Sequence, residues 1–141
     1  MAISASALSA QRLRLDLVSS NITNMNTAGR TGPEGPAPYR RKLPVFAQVL
    51  EWERAGEGRR GGFAGAGVRV ARIAEDPSPP ALVHDPSHPL ADERGYVAYP
   101  NVNVLNEMVD LMGAVRSYQA SVTAFNTTKE MFLKALEIGR G

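Results

Sequence analysis

Apolar residues recur at seven-residue intervals near both ends of the chain. At the front, Leu8, Leu15 and Ile22 form one series, Val18 and Met25 lie on the offset series, and Gln11 is its polar exception. This heptad seam predicts a helix over 3–27. Ala2, Ala5, Ala7 and Ala10 keep its first turns slim and helix-prone. At the other end, Val104, Leu111, Tyr118, Phe125 and Phe132 share one series, and Met108, Val115, Val122, Lys129 and Leu136 share the other. Only Lys129 is not apolar or aromatic. The pattern predicts a helix over 103–138, roughly 54 Å long at 1.5 Å per residue. Asn103 is its expected N-cap, Glu107 and Asp110 complement the positive end of its dipole, and Gly139 is its stop.

Between these segments the periodicity changes. AGRTGPEGPAP at 28–38 is a loop that no helix crosses. YRRKLPVFAQVL and GVRVARIAED are rich in β-branched residues, and Val68, Val70 and Ile73 suggest a short strand. GRRGGFAGAG at 58–67 reads as a glycine-rich turn, and the proline-rich stretch 76–100 as a meandering loop with short extended pieces. The fold class expected is therefore mainly α. A long antiparallel coiled coil of the terminal helices, 1–27 with 103–141, would carry a small irregular β-containing insert, 28–102.

One segment conflicts with its helix. SSNITNMNT, at 19–27, has seven Ser, Thr or Asn residues among nine. Such side chains bond nearby backbone and favour caps and turns. Asn21, Asn24 and Asn26 are threaded among Ile22 and Met25 of the seam. Amides buried beside a seam would fix one register, because a slip leaves them unpaired. The plainer reading is a solvated helix end with Asn and Thr capping.

Charge and composition narrow the function. Sixteen basic and fourteen acidic residues leave +2, spread as +1 over 1–38, +1 over 39–100 and 0 over 101–141, so no basic arm argues for nucleic acid. Without cysteine there is no thiol catalysis, disulfide framework or Cys-based zinc site. No apolar run approaches the roughly 20 residues of a membrane span. Arg12 and Arg14 interrupt the front segment, which argues against a cleavable signal peptide. His84-Asp85-Pro86-Ser87-His88-Pro89 contains metal ligands and triad-type residues, but its prolines forbid the helix a zinc pair at this spacing needs. The glycines of 58–67 lack the Gly-Lys-Ser/Thr of a phosphate loop. No cofactor and no enzyme activity are expected. Arg40-Arg41-Lys42 reads as a solvated strand or a salt-bridged subunit contact, balanced downstream by Glu51 and Glu53.

ISASALSAQRLRLDLVSSNITNMNT, PYRRKLPVF, EDPSPP, GYVAYPNVNVLNEMVDLM and KALEIG, in that order, resemble the flagellar basal-body rod family over nearly the whole chain. GYVAYPNVN before the long helix is similar to its proximal-rod branch. Thr23 and Met25 stand where that family commonly has small alanines, and residues 51–63 do not align with it. The resemblance implies a structural subunit of the proximal rod, helping transmit torque from motor to hook and filament. It implies export by the flagellar type III apparatus without signal cleavage, and location in the rod crossing the periplasm. Partners would be other copies and related rod proteins. The expected coiled-coil interface is Leu8, Leu15, Val18, Asn21, Ile22, Asn24, Met25, Asn26, Val104, Met108, Leu111, Val115, Tyr118, Val122, Phe125, Phe132 and Leu136. Tyr96, Tyr99, Pro100 and Asn101 are expected insert contacts. Residues 1–27 are expected to order with partners. The competing reading is a soluble, non-flagellar coiled-coil interaction module.

Overall fold

The computed structural model describes residues 2–30, 35–53 and 62–139. Among the described residues two helices, α1 (Ala2–Thr23) and α2 (Val104–Ile138), flank four strands: β1 (Lys42–Glu53), β2 (Gly62–Glu75), β3 (Ala81–His84) and β4 (Tyr96–Tyr99). The class is mainly α with a β insert, as the periodicity predicts. Asn103 caps α2, its side chain accepting from the Asn106 amide at 3.2 Å, and the Gly139 amide closes the far end on the Ala135 carbonyl at 3.1 Å.

α1 ends at Thr23 rather than running to 27. The polar run explains the early stop. Thr23 Oγ1 donates to the Ser19 carbonyl at 2.9 Å, Asn24 Nδ2 to the Ser20 carbonyl at 2.8 Å, and the Thr27 amide to the Asn24 carbonyl at 3.1 Å. Side chains and turn amides replace the next turn of helix.

The insert is more regular than expected. β1 and β2 form a long antiparallel ribbon with bulges between Val45 and Phe46 and between Val49 and Leu50. Gly62 to Gly67, expected in a turn, are strand residues paired against Val49–Glu53. The rest of that expected turn, up to residue 61, lies outside the described residues. The ribbon runs along α1. Lys42 meets Asn21, and Val68 meets Ser6, whose hydroxyl accepts the Val68 amide at 3.1 Å. Between those contacts α1 rises roughly 23 Å over fifteen residues. A strand covers about the same distance in seven. Gly67, at φ +145°, lets the helix approach, because a Cβ there would stand 2.5 Å from Ser6 Oγ.

The stretch 76–100 contains a second antiparallel pair, β3 with β4. Gly29 bridges to the other edge of β4, its amide donating to the Ala98 carbonyl at 2.8 Å and its carbonyl accepting the Ala98 amide at 3.1 Å. Val97 and Ala98 are consequently buried.

Candidate functional site

α1 packs against α2 in opposite direction, with Arg14 facing Asp110 and Asn21 facing Glu107. The residues turned fully inward are Ala10, Leu17, Val18 and Asn21 on α1, and Glu107 and Ala114 on α2. On α2 the inward stripe includes the half-buried Val104, Leu111, Tyr118 and Phe125, so one expected series faces the chain interior. The other is displaced by one position. Glu107 and Ala114 point in where Met108 and Val115 were expected, and Met108 and Val115 are exposed. Val122 is half-buried, while Phe132 and Leu136 are exposed. On α1, Leu8, Leu15 and Ile22 are half-buried beside the true contact line, as is Met25 in the turn that follows.

The contact is centred on a polar cluster. Asn21 is 1% exposed and its amide is saturated. Nδ2 donates to the Lys42 carbonyl at 2.9 Å and to Glu107 Oε2 at 3.0 Å. Oδ1 accepts from Tyr39 Oη and from the Lys42 amide, both at 2.9 Å. Four bonds are all that a primary amide can make in this geometry. Asn21 thus uses its capacity inside its own chain, where the sequence had suggested a contact between subunits. Asn24 is half-buried on its back-bond to Ser20, and Asn26 is exposed.

Glu107 is wholly buried and receives Arg41 Nε on its other oxygen. Arg41 continues to Asp110 at 3.3 Å and lies 4.0 Å from Asp76, and Arg14 holds the second oxygen of Asp110 at 3.1 Å. The Asp76 carboxyl lies below its ordinary value, chiefly because Ser78 hydrogen-bonds to it, with Arg41 contributing less. Two arginines and three carboxylates therefore alternate across α1, α2, the residue before β1 and the loop after β2. A buried charge needs its partners in place. This arrangement holds only one relative placement of the two helices and the ribbon. Arg41 finds its partners here; the side chains of Glu51 and Glu53 lie outside what the structure describes. A cavity of about 330 Å³ opens beside the cluster, lined in part by Arg14, Asn21, Lys42 and Phe46.

The remaining candidates are local. Pro100 is buried, Tyr99 half-buried, and Tyr96 and Asn101 exposed. Tyr96 meets His84 edge-on, with ring centroids 5.1 Å apart. His88 Nδ1 accepts the Leu90 amide at 3.1 Å, and Ser87 Oγ donates to Asp85 at 2.6 Å. Among the described residues no cluster of three or more His, Asp or Glu side chains is placed to hold a metal ion. No described helix is long and apolar enough to cross a membrane.

Sequence reasoning missed the core roles of Ala10, Leu17, Glu107, Ala114 and Arg41. A signal for Glu107 existed: it shares a seven-residue series with Ala114 and Ser121, a narrow stripe of small and polar residues beside the apolar one.

Among the described residues the buried core is small. The chain's accessible surface is 10341 Å², against about 7,100 Å² for a compact monomer of this mass. Large apolar side chains are exposed along α2, including Leu105, Val109, Met112, Met131 and Phe132. Such a surface belongs to a subunit of something larger. Comparison with known families gives the class. The family of flagella basal body rod proteins matches residues 1–29, and the C-terminal family of flagellar basal body rod FlgEFG proteins matches 93–138. Those segments contain α1 and α2 and all but Arg41 and Asp76 of the charged cluster.

The particular relatives are FlgC proteins. Identity is 49% to the flagellar basal-body rod protein FlgC of Bacillus subtilis (strain 168), covering 98% of this chain and 95% of that one. It is 49% to that of Yersinia enterocolitica, covering 98% and 94%, and 42% to that of Aquifex aeolicus (strain VF5), covering 96% and 91%. The chain belongs to the FlgC family of flagellar basal-body rod proteins, and is a structural rod subunit rather than an enzyme.

Proposed function

We propose that this subunit builds the proximal rod by coiled-coil packing of its terminal helices against other copies and related rod proteins. The observation that carries this reading is the roughly 3,200 Å² of surface beyond that of a compact monomer. Neighbours in a rod would cover it. Heptad residues not fully covered within the chain supply the contact: the half-buried Leu8, Leu15, Ile22 and Met25 at the margin of α1, and the exposed Met108, Val115, Phe132 and Leu136 on α2. Asn24 and Asn26, at the end of α1, set register between copies. The terminal segments, 1–27 with 103–141, which contain α1 and α2, form the assembly unit. The insert, 28–102, lies outside it and meets neighbours through Tyr96, Tyr99, Pro100 and Asn101.

A chain with few buried residues is also readily unfolded. That suits passage through the flagellar type III apparatus without signal cleavage, followed by ordering in the rod where it crosses the periplasm. Ordering the exposed tail, 126–138, costs roughly 13–26 kcal/mol in backbone entropy. Contacts with neighbours offset that cost, and the finished rod transmits torque to hook and filament. The test is a clean deletion in the source bacterium, followed by electron microscopy of basal bodies. Rings without rod, hook or filament, restored by the gene, are expected. Complete flagella in a strain with no second copy would refute the reading.

A further inference from the structure

Each strand pair leaves backbone groups uncovered on one edge. Hydrogen-bonded pairs alternate along an antiparallel ladder, so bonds made on one side fix which groups face the other. On β4, the amide and carbonyl of Ala98 turn to Gly29. Its partner Leu82 therefore turns its own amide and carbonyl away from β4, and so does His84, two residues on. On the ribbon, the amide and carbonyl of Lys42 both go to Asn21. Its partner Glu75 therefore faces away from β1, and so does Ile73, opposite Pro44. Among the described residues no hydrogen bond reaches these outward groups of Ile73, Glu75, Leu82 and His84. Ile73 is 48% exposed, Leu82 54% and Val83 47%. An uncovered apolar edge is a template for another strand.

The two edges match. Ile73-Ala74-Glu75-Asp76-Pro77-Ser78 and Leu82-Val83-His84-Asp85-Pro86-Ser87 repeat one pattern. Both end in the same turn, with Asp Oδ1 accepting the Ser amide two residues on, at 2.9 Å for Asp76 and 3.1 Å for Asp85. Pro77 and Pro86, and Pro80 ahead of Leu82, have no N–H to extend either edge. Each stretch therefore offers two residues to a partner strand.

We propose that β3 of one copy adds antiparallel to β2 of a second copy, joining two strand pairs into one four-stranded sheet. The inference rests on the rod-subunit assignment and names the surfaces that meet. Leu82 lies opposite the second copy's Glu75, and His84 opposite its Ile73, so all four outward N–H groups find carbonyls. Val83 then lies opposite Ala74, and Asp85 opposite the exposed Arg72. Ser87 uses only one oxygen of Asp85, which leaves the other for the guanidinium. A slip of two residues sets Leu82 against Pro77 or Glu75 against Pro80, and loses bonds either way. Pairing either edge with its own copy is two-fold and closes after two chains. β3 on β2 leaves one edge of each kind unfilled, so growth does not close.

The chain has no cysteine, which gives the test a clean background. Two chains, one with Val83→Cys and one with Ala74→Cys, are produced together in the deletion strain. Isolated basal bodies are oxidised with copper phenanthroline and separated without reductant. Residues opposite each other between bonded pairs stand about 4.5 Å apart at Cα, close enough for a disulfide. The expected result is a disulfide-linked dimer, about tenfold more abundant than from Val83→Cys with Ile73→Cys, whose side chains fall on opposite faces. A yield no higher than that control overturns the proposal. So does a dimer from either Val83→Cys or Ala74→Cys alone, because an edge would then meet its own copy. The unsubstituted chain gives a second reading by hydrogen exchange. The amides of Ile73, Glu75, Leu82 and His84 should exchange at least tenfold more slowly in basal bodies than in the free chain, and equal rates overturn the pairing. If the unsubstituted chain fails to restore rods, the rod assignment itself fails. If rods are restored without the dimer or the protection, only the strand pairing does.

Discussion

Asn21→Ala removes one side-chain amide and four hydrogen bonds. The bond to Glu107 involves a charge, and its loss costs about 1.5–3 kcal/mol. The bonds to the Lys42 amide, the Lys42 carbonyl and Tyr39 contribute about 1 kcal/mol each. Tyr39 keeps a contact with Ser20 at 3.3 Å, and the adjoining cavity lets water reach part of the space, so the sum is discounted. The expected loss is about 3–5 kcal/mol, comparable to the whole stability of a marginal domain. Asn24→Ala loses a half-buried back-bond and should cost less than about 1 kcal/mol. Urea denaturation of the purified chains, followed by circular dichroism, measures both. If Asn21→Ala costs no more than Asn24→Ala, the cluster does not hold the helices and ribbon together, and the reasoning from its geometry fails.

Glu107→Ala should cost about 1.5–3 kcal/mol, because it removes the carboxylate that Arg41 Nε and Asn21 Nδ2 both bond while Arg41 keeps Asp110. Glu107→Ala with Arg41→Met should cost less than the sum of the two single changes, and a purely additive double mutant in the same denaturation assay would count against a coupled pair. Among the described residues nothing hydrogen-bonds the buried Gln11 Oε1, so Gln11→Leu should raise stability by about 1 kcal/mol, and a lower unfolding midpoint would contradict this. The Asp85 carboxyl lies below its ordinary 3.8, chiefly through the Ser87 hydroxyl. A depressed carboxyl stabilises the fold above its unfolded value and loses that contribution as pH falls through the folded one. Ser87→Ala should move it back up towards 3.8 in an NMR titration, and an unchanged titration would remove the hydroxyl as the cause.

The two helices and the caps of α2 are legible in the sequence because heptad periodicity and an Asn or Gly at a boundary are local signals. So is one face of α2, through Val104, Leu111, Tyr118 and Phe125. The choice between neighbouring faces is not local. Met108 and Val115 are as apolar as a core requires, yet Glu107 and Ala114 face inward. A charge already paired with Arg41 and Asn21 can be buried, and a small Ala114 lets α1 approach. Both conditions depend on residues far away in the chain. The ribbon was half visible as β-branched runs. Its extension through Gly62–Gly67 was hidden because glycine signals a turn unless a partner strand is known. Asn21 was found for its unusual chemistry, but its partners lie on β1 and α2, which no spacing in the first helix reveals.

The central claim is that assembly supplies burial that the single chain lacks. Hydrogen exchange read by mass spectrometry tests it, on the free chain and on isolated basal bodies. In the free chain, amides of 126–138 should exchange rapidly, and those of Ala10–Asn21, beside the polar cluster, more slowly. In the basal body the 126–138 amides should become strongly protected. Strong protection of the tail in the free chain, or a tail left unprotected in the rod, would contradict the account.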